Sequence, residues 1–270
     1  MDNNRPLILV TNDDGINAPG IEKLYTTMQE IGDVAVVAPD REMSAAGHAI
    51  TLSDPLRVSK VQLKNGITGH AVNGTPADCV KIAVKAILDR IPDLVVSGIN
   101  QGSNTGINVI YSGTVSAATE GIILGIPSIA FSLASYEYKN FDPAGRIAQR
   151  LVCKVLEEGV PDNTLLNVNI PAVPSGEIKG IYVTKQGKAF YDERFDKRID
   201  PRNRTYYWMT GERKTMEEDE GSDERAVQGG YVSVTPVQYD LTHYQFMSRL
   251  KEWDVFANSN AKTSEPEQVS

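Results

Sequence analysis

The stretch from Leu7 to Gly15 constrains the fold most, because an apolar run leads directly into two adjacent carboxylates. Leu7 to Val10 is unbroken apolar sequence, which is typical of a strand buried on both faces of a parallel sheet. Ligands of open α/β sheets collect beyond the carboxyl ends of such strands, so Asp13 and Asp14 are placed for function. Two adjacent carboxylates repel each other, and a hard divalent cation would relieve that repulsion. An Asx turn with a helix cap is the alternative, and this stretch alone favours neither.

Composition narrows the class of protein. Apolar residues make up 41% of the 270 residues and charged residues 23%, which is typical of a soluble globular domain with an appendage. The net charge of -8 disfavours binding of a nucleic acid polymer. Cys79 and Cys153 lack metal-ligand spacing, so we expect reduced core thiols in a cytoplasmic protein. The apolar run near the N-terminus is too short for a signal peptide or a membrane span, so no membrane association is expected.

Alternating strand and helix patterns predict an α/β core with a mostly parallel sheet over residues 1–174. A helical pattern begins at Pro19, and residues 34–37 form a second buried strand. Such a β-α-β opening predicts parallel strands joined by a right-handed crossover. Asn65-Gly66 is predicted as the turn between two strands of a side sheet. Further strands are predicted over 49–61, 68–72, 93–97, 127–131 and 165–171, and further helices after Thr75, after Ser112 and over 143–158.

Beyond Pro174 the pattern changes to polar residues alternating with apolar or aromatic ones. Residues 178–240 are therefore predicted to form antiparallel hairpins with one solvated face. The acidic run over 217–224 favours a solvated loop over a metal site. Residues 240–253 are predicted as a last short helix.

An aromatic cluster in this C-terminal part favours a subunit contact over packing under the hairpin, because aromatic residues and Met are enriched at interfaces. We predict that 175–255 is a β-rich oligomerisation region with a terminal helix, and that 256–270 is a disordered tail. The cluster consists of Tyr206, Tyr207, Trp208 and Met209.

Polar side chains follow three of the predicted parallel strands, so they should meet at one edge of the sheet. Asp13 and Asp14 follow the first strand, Ser44 lies in the loop after the second, and Asn100 and Asn104 follow a third. Carboxylate, amide and hydroxyl oxygens favour Mg²⁺, Mn²⁺ or Ca²⁺ over zinc, because no thiolate or imidazole cluster is offered. The sequence therefore predicts a hard-metal site at this edge.

Ser112, Gly113 and Thr114 open a helix of small apolar residues. The N-terminus of a helix exposes unpaired amide donors and a positive dipole end, so we predict a phosphate cradle here. Simple capping of the helix is the alternative, with similar weight. A metal beside such a terminus lowers the pKa of a bound water and shields phosphoryl charge. The predicted reaction class is phosphate ester hydrolysis.

Five motifs in order along the first half of the chain resemble the survival protein SurE family of 5'-nucleotidases. The resemblance implies a Rossmann-like three-layer core and metal-dependent removal of phosphate from nucleoside 5'-monophosphates. It also implies a cytoplasmic homodimer or homotetramer formed through the C-terminal region. Nucleoside 3'-monophosphates and short polyphosphate are further substrates to test. The motifs are Thr11-Asn12-Asp13-Asp14-Gly15, Ala38-Pro39-Asp40 with Ser44-Ala45, Asn73-Gly74-Thr75-Pro76, Ser97-Gly98-Ile99-Asn100 with Gly102 and Asn104, and Tyr111-Ser112-Gly113-Thr114-Val115-Ser116-Ala117-Ala118.

The resemblance also assigns roles to the residues of these motifs. The implied metal ligands are Asp13, Asp14, Ser44 and Asn100, and the implied phosphate-binding residues are Asn104, Ser112, Gly113 and Thr114. The expected catalytic residues are Asp13, Asp14, Asn104 and Ser112.

Two proton-transfer roles stay open at this stage. Either carboxylate of the pair could accept the proton of the attacking water, and Asp14 is the preferred choice. His48 lies near the same edge and is a candidate acid for the leaving alkoxide, although a structural role is favoured for a lone loop histidine.

Four other functions fit parts of the pattern. A dinucleotide-dependent dehydrogenase needs a glycine-rich turn where Asn12-Asp13-Asp14 brings negative charge. A haloacid-dehalogenase-type phosphatase needs its two carboxylates separated by one residue, and Gly15 occupies that second position. A nucleoside ribohydrolase, which releases a base, is the closer rival. A metal and nucleotide sensor without turnover would use the same ligands.

Overall fold

A nine-stranded, mostly parallel sheet forms the centre of the protein in a computed structural model that describes residues 5–214, 220–253 and 255. Its strand order is β3-β4-β2-β1-β5-β6-β7-β11-β8, and β9 and β10 form a separate two-stranded sheet. This arrangement confirms the predicted α/β class. The strands are β1 (Leu7–Thr11), β2 (Asp33–Pro39), β3 (Val58–Gln62), β4 (Thr68–Val72), β5 (Leu94–Gln101), β6 (Ser128–Leu133), β7 (Thr164–Ile170), β8 (Ile181–Val183), β9 (Phe190–Ile199), β10 (Thr205–Lys214) and β11 (Val232–Gln238).

Helices cover both faces of the sheet and make a three-layer core. Ile8 and Val10 of β1 belong to one apolar cluster, and Leu9 belongs to another on the opposite face. Because side chains alternate across a strand, an unbroken apolar run buries both faces. α1 and α5 contribute to the first cluster, and α2 and α4 to the second. The helices are α1 (Pro19–Met28), α2 (Pro76–Ile82), α3 (Asn108–Tyr111), α4 (Gly113–Ile123), α5 (Asp142–Glu158), α6 (Asp223–Gln228) and α7 (Tyr244–Leu250).

β1 lies at the point in the sheet where the order in which the chain adds its strands reverses. β1 pairs in parallel with β2 on one side and with β5 on the other, which confirms the predicted β-α-β opening. A crevice forms beyond the carboxyl ends of the strands at such a reversal, and it is the usual ligand site of open α/β sheets. The carboxyl end of β1 leads into Asp13 and Asp14.

The side sheet is shorter than predicted. Of the expected strand over 49–61, only residues 58–61 are extended and paired, in a strand that continues to Gln62. The prediction of a turn at Asn65-Gly66 is correct, since Asn65 has φ +57°. The preceding residues are held otherwise, because the backbone N–H and the hydroxyl of Thr51 donate to the carboxylate of Asp78 in α2. Pro55 also lacks the N–H that a ladder would need.

One of the two cysteines is not in the core. Cys79 is buried as expected, but Cys153 is exposed, so the prediction of a second core thiol was wrong. Val152 and Val155, which precede and follow Cys153 in α5, are buried. Cys153 lies between them on the outer face of the helix.

The strands after residue 174 are not all antiparallel hairpins. β9 and β10 form the expected antiparallel hairpin, but β8 pairs in parallel with β11, and β11 runs antiparallel to β7. The crossover from β8 to β11 is long, because it contains the hairpin and α6, and this length permits parallel pairing.

The prediction of a solvated acidic loop agrees with the exposure of Glu220 but was wrong for the end of the run. Residues 217–219 lie outside the described residues, but Asp223 and Glu224 are buried at the start of α6. The carboxylate of Asp223 accepts hydrogen bonds from the backbone N–H groups of Gly106 and Gly187, at 3.0 and 2.9 Å. These bonds compensate the burial of the charge.

The residues up to Gln238 form one compact unit, and the described residues from Tyr239 onward form a second that contains α7. The domain boundary between 174 and 175 stays a prediction, and the predicted tail 256–270 lies outside the described residues. None of the helices in the described part of the chain has the length and apolarity that crossing a bilayer requires.

Candidate functional site

A tight turn at the end of β1 presents the acidic pair. The side-chain Nδ2 of Asn12 donates to the carbonyl oxygen of Gly15 at 2.9 Å and closes the turn. Its Oδ1 accepts no hydrogen bond from the described residues, so the turn is not the Asx turn of the alternative prediction. Gly15 has φ +96°, and a Cβ there would lie 3.1 Å from the backbone of Arg41. A glycine is therefore required where the chain leaves the pair.

The N-terminus of α4 lies directly against Asp13. The hydroxyl of Thr114 donates to Oδ1 of Asp13 at 2.5 Å, and the backbone N–H of Thr114 also donates to this carboxylate. A Cβ built on Gly113 would lie 2.7 Å from the Cβ of Asp13. Only glycine at this position allows the helix to approach so closely. Ser112 caps the helix, because its Oγ accepts the N–H of Val115 at 3.1 Å.

Both carboxyl groups of the pair hold their protons more tightly than usual. Asp13 is buried, and its desolvation raises its pKa, although the hydrogen bonds from Thr114 act in the opposite direction. Burial, and then the charge of Asp13, raise the pKa of Asp14 to about 7, against the effect of a hydrogen bond from the backbone N–H of Gln101. Among the described residues, no Lys, Arg or His pairs with either carboxylate.

Two further loops bring oxygen atoms to the same edge. The loop after β2 is tied to the pair by a hydrogen bond of 2.7 Å from the N–H of Met43 to the carbonyl oxygen of Asp13. Ser44 follows, and its hydroxyl donates to Glu42 at 2.6 Å. Ser44 and Asp14 line one open cleft of about 480 Å³.

The end of β5 contributes Asn100. The pairing register with β6 shifts between Ser97 and Asn100, and such irregularities re-aim side chains next to functional sites. The side-chain Nδ2 of Asn100 donates to the carbonyl oxygen of Gly102 at 2.7 Å, so Oδ1 is the atom that can face a ligand. The next residue, Gln101, is the one whose backbone binds Asp14.

These atoms suit a hard divalent cation. Asp13, Asp14, Ser44 and Asn100 together offer two carboxylates, a hydroxyl and an amide oxygen, which is the oxygen-rich donor set that Mg²⁺, Mn²⁺ and Ca²⁺ prefer. Burial is the main cause of the raised pKa of both carboxyl groups, and a bound cation would favour their ionised forms. The residues therefore fit the predicted metal.

Asn104 is held by side chains of β6 and β7. Its backbone N–H donates to Oδ1 of Asn169 at 2.7 Å, and its carbonyl oxygen accepts from the side chains of Asn167 and Asn169. Its own Nδ2 donates to the hydroxyl of Ser132 at 2.9 Å. Its described hydrogen bonds thus run to β6 and β7, and none joins it to the acidic pair.

His48 contacts a buried carboxylate. Its Nε2 lies 3.0 Å from Oε2 of Glu120 in α4, and Lys81 of α2 donates to the other oxygen of that carboxylate. Hydrogen bonds from His48 and Lys81 lower the pKa of Glu120 against its desolvation. This contact agrees with the structural alternative for His48.

Several residues that shape the site were not identified from the sequence. Asn167 and Asn169 are fully buried on β7 and fix the backbone of Asn104, and the Asn-Val-Asn alternation inside a buried strand was the available signal. Gln101 acts through its backbone N–H, which leaves no chemical signature in the sequence. Gly113 was assigned to the phosphate site from the sequence, but its close approach to Asp13 was not predicted.

The protein families and structures that resemble this chain agree with one another. The model of the family described as survival protein SurE matches residues 8–193. A protein named 5'-nucleotidase SurE from Christiangramia forsetii is 52% identical over 94% of this chain and 99% of its own length. One of the same name from Syntrophobacter fumaroxidans is 50% identical over 92% of this chain and 99% of its own.

A solved structure gives the same result at the level of the fold. The crystal structure of the SurE protein from Aquifex aeolicus superposes with a TM-score of 0.80 at 48% identity, over 91% of this chain and 98% of that one. The acidic pair, the glycine that brings α4 against it and the loops that carry Ser44 and Asn100 all lie within the matched residues 8–193. The chain belongs to the survival protein SurE family.

Proposed function

We propose that this protein is a divalent-metal-dependent 5'-nucleotidase, a hydrolase that removes phosphate from nucleoside 5'-monophosphates by attack of water. The relatives named 5'-nucleotidase SurE match it over nearly the full length. One observation carries the chemistry. Two adjacent carboxyl groups have no cationic partner among the described residues, and one of them, Asp13, lies against the N-terminus of α4. Carboxylates bind a hard cation, and the N-terminus of a helix binds a phosphate.

The proposed metal ligands are Asp13, Asp14, Ser44 and Asn100. We favour Mg²⁺ or Mn²⁺ as the ion, with Ca²⁺ as an occupant that the same oxygen atoms would accept. When bound, the ion lowers the pKa of a water and neutralises charge on the phosphate.

The side chains around the metal then divide the work. Asp14, which is partly buried and lines the cleft beside the proposed metal site, is the proposed acceptor of the proton of the attacking water. Asp13 is held in place by both polar groups of Thr114, so Thr114 serves the phosphate site through this carboxylate.

Three donors are proposed for the oxygens of the phosphate. The hydroxyl of Ser112 accepts the N–H of Val115 and keeps its own proton to donate. The N–H of Gly113 is at the first position of α4, where a helix has no internal acceptor for it. Asn104 offers the second proton of its side-chain amide, which is oriented by Ser132. Such preorganised donors stabilise charge that develops in the transition state.

The C-terminal region is the proposed oligomerisation region. Aromatic and other apolar side chains on β9 and β10 are exposed, among them Tyr206, Tyr207, Trp208 and Met209. An exposed apolar surface of this kind marks an interaction site, and we propose a homodimer or homotetramer. We also propose a cytoplasmic location, in which nucleotides and Mg²⁺ are both present.

Phosphate release tests the activity. The native protein and Asp13→Asn are assayed with a panel of nucleoside 5'- and 3'-monophosphates and short polyphosphate, in Mn²⁺, in Mg²⁺ and with a chelator. We expect metal-dependent phosphate release that Asp13→Asn abolishes while it keeps its fold. Asp54→Asn removes an exposed carboxylate elsewhere on the surface and is the matched control.

Parallel assays separate the rival functions. Release of free base without phosphate would show a nucleoside ribohydrolase instead. Metal-dependent nucleotide binding without either product would show a sensor, and either result overturns the proposal.

A further inference from the structure

We infer that the ring of Tyr136 is the platform on which the base of the nucleotide stacks. The inference rests on the proposed nucleotidase function and adds a residue that determines which phosphate esters are accepted. Stacking on an aromatic side chain tolerates every base, because each base has a π-face.

Tyr136 shares a cleft with the proposed metal site. The cleft of about 480 Å³ that contains Asp14 and Ser44 is also lined by Gln101 and Tyr136. Its volume lies in the range of small-molecule sites, about 300–1,000 Å³. A nucleotide whose phosphate lies at the acidic pair therefore has an aromatic ring within the same open space.

The ring of Tyr136 packs against the backbone and still faces the cleft. A Cβ built on Gly102 would lie 2.6 Å from Cζ and 2.7 Å from Cε1 of Tyr136, so only glycine lets the ring lie there. Gly102 has φ +106°, which also favours glycine. The side chain of Tyr136 is nevertheless 73% exposed. A large aromatic surface is thus left open beside Gly102, which follows Asn100 by two residues.

Gln101 connects the ring to the acidic pair. Its side-chain Nε2 donates to the carbonyl oxygen of Tyr136 at 3.4 Å, and its backbone N–H donates to the carboxylate of Asp14. Lys139 donates to the same carbonyl oxygen at 3.2 Å. One residue therefore contacts both the proposed proton acceptor and the segment that carries the ring.

A second cleft, lined by the neighbours of Asn104, is less suited to a base. It has a volume of about 450 Å³ and is lined by polar and aliphatic side chains, among them Thr105, Val173 and Gln228, and by no aromatic ring. A nucleotide that placed its base there would gain no stacking. The observations therefore favour the cleft of Tyr136.

The test compares a nucleotide with a sugar phosphate that has no base. Phosphate release from adenosine 5'-monophosphate and from ribose 5-phosphate is measured for the native protein, Tyr136→Ala, Tyr136→Phe and Glu137→Ala. Glu137 is the exposed neighbour in the same loop and does not line the cleft, so its variant controls for disturbance of the loop.

We expect Tyr136→Ala to raise KM for adenosine 5'-monophosphate about five- to tenfold, as the loss of one base–aromatic stack would. Its kinetics with ribose 5-phosphate should not change. Tyr136→Phe, which keeps the ring, should behave as the native protein does. Equal losses on both substrates, or no loss on either, would overturn the inference.

Equilibrium binding separates this inference from the proposed function. If the native protein released phosphate from neither compound, the nucleotidase proposal would fail on its own. Calorimetric binding of adenosine 5'-monophosphate to the native protein and to Tyr136→Ala, with Mn²⁺ present, would still decide the inference. Weaker binding by the variant supports stacking, and equal binding refutes it.

Discussion

The acidic edge, which is the end of the sheet that carries Asp13 and Asp14, and the β9–β10 hairpin are unusual in opposite ways. The first buries charged groups, and the second exposes apolar side chains. At the acidic edge, Asp13 is buried beside a second carboxylate, and both pKa values are raised. In the hairpin, Phe195 and Met209 lie opposite each other in register and are 65% and 64% exposed. Buried carboxylates without a cation and exposed large apolar side chains are both unfavourable in an isolated chain.

This difference indicates what each region lacks. The acidic edge would be stabilised by a cation, and the hairpin by an apolar surface. A local conflict with the ordinary rules of folding is expected at sites that bind something. The two regions should therefore respond to different perturbations, the first to charge and pH and the second to removal of apolar area.

The largest effect is expected at Asp14. Asp14→Asn removes the proposed proton acceptor and one metal ligand, so kcat should fall by about 10²- to 10⁴-fold. The metal-free variant should also be at least as stable as the native protein, because the substitution removes a repulsive charge next to Asp13. Phosphate release and thermal unfolding with a chelator measure the two effects. A variant that kept full activity would show that Asp14 is no part of the machinery.

The second effect is on the pH dependence of metal affinity. The pKa of Asp14 in the folded, metal-free protein is about 7, above its ordinary value of 3.8, so the group is mostly protonated below about pH 7. A proton must then leave Asp14 before the metal binds, and this group alone should make the affinity rise about tenfold per pH unit up to about pH 7. The raised pKa of Asp13 adds to this slope where that group is protonated. The linkage has the opposite sign for folding. The unfolded chain loses this proton near pH 3.8 and the folded, metal-free protein only near pH 7, so the stability of the metal-free protein falls as pH rises between these values.

Calorimetry with Mn²⁺ on both sides of pH 7 measures this dependence. Repeating it in buffers of different ionisation enthalpy counts the protons released. Asp14→Asn should bind more weakly and with a flatter profile. A native profile that is already flat below pH 7 would contradict the origin proposed for the raised pKa.

The sequence predicted the acidic edge better than it predicted the contacts that build it. The apolar run into Asp13 is a local signal, and the parallel strands brought Ser44 and Asn100 to the same edge as expected. The contact of Thr114 with Asp13 joins residues 101 positions apart, and no local pattern indicates it. Local patterns therefore predict the residue types of the site more reliably than the partners of those residues.

The C-terminal half was harder to predict for the same reason. Asp223 belongs to an acidic run that is typical of a solvated loop, yet the backbone of Gly106, 117 positions away, accounts for its burial. The parallel pairing of β8 with β11 is equally long-range. By contrast, the β9–β10 hairpin is local, and its alternating pattern was sufficient to predict it.

A smaller effect is expected at Gly113, where the close approach of α4 can be tested without any change of charge. Gly113→Ala places a methyl group 2.7 Å from the Cβ of Asp13, so the helix or the carboxylate must move. Overpacking of this kind costs about 1–3 kcal/mol, although alanine in a helix normally stabilises relative to glycine. The melting temperature in thermal unfolding and the rate of phosphate release should both decrease.

Gly176→Ala is the matched control for this substitution, because nothing lies within 4 Å of a Cβ at that position. Its stability and activity should be close to native. Native stability of Gly113→Ala would mean that α4 can shift away from the acidic pair at no cost.

The smallest effect on catalysis is expected in the hairpin, and it would sharpen the contrast with the acidic edge. Phe195 and Met209 lie opposite each other in register, so replacing both with Ser removes one exposed apolar pair from a single face. The mass in solution, measured by light scattering after gel filtration, should shift toward the monomer if this face holds subunits together. Phosphate release per chain should change less than twofold, because the acidic edge is built from β1, β5, α4 and the loop after β2.

Lys197→Ser is the control for the hairpin variant. Lys197 lies on β9, as Phe195 does, and its replacement removes no apolar residue, so the mass should stay unchanged. An unchanged mass for the double variant would assign the exposed apolar pair another role, whereas a loss of activity as large as that of Asp14→Asn would mean that the two regions are not independent.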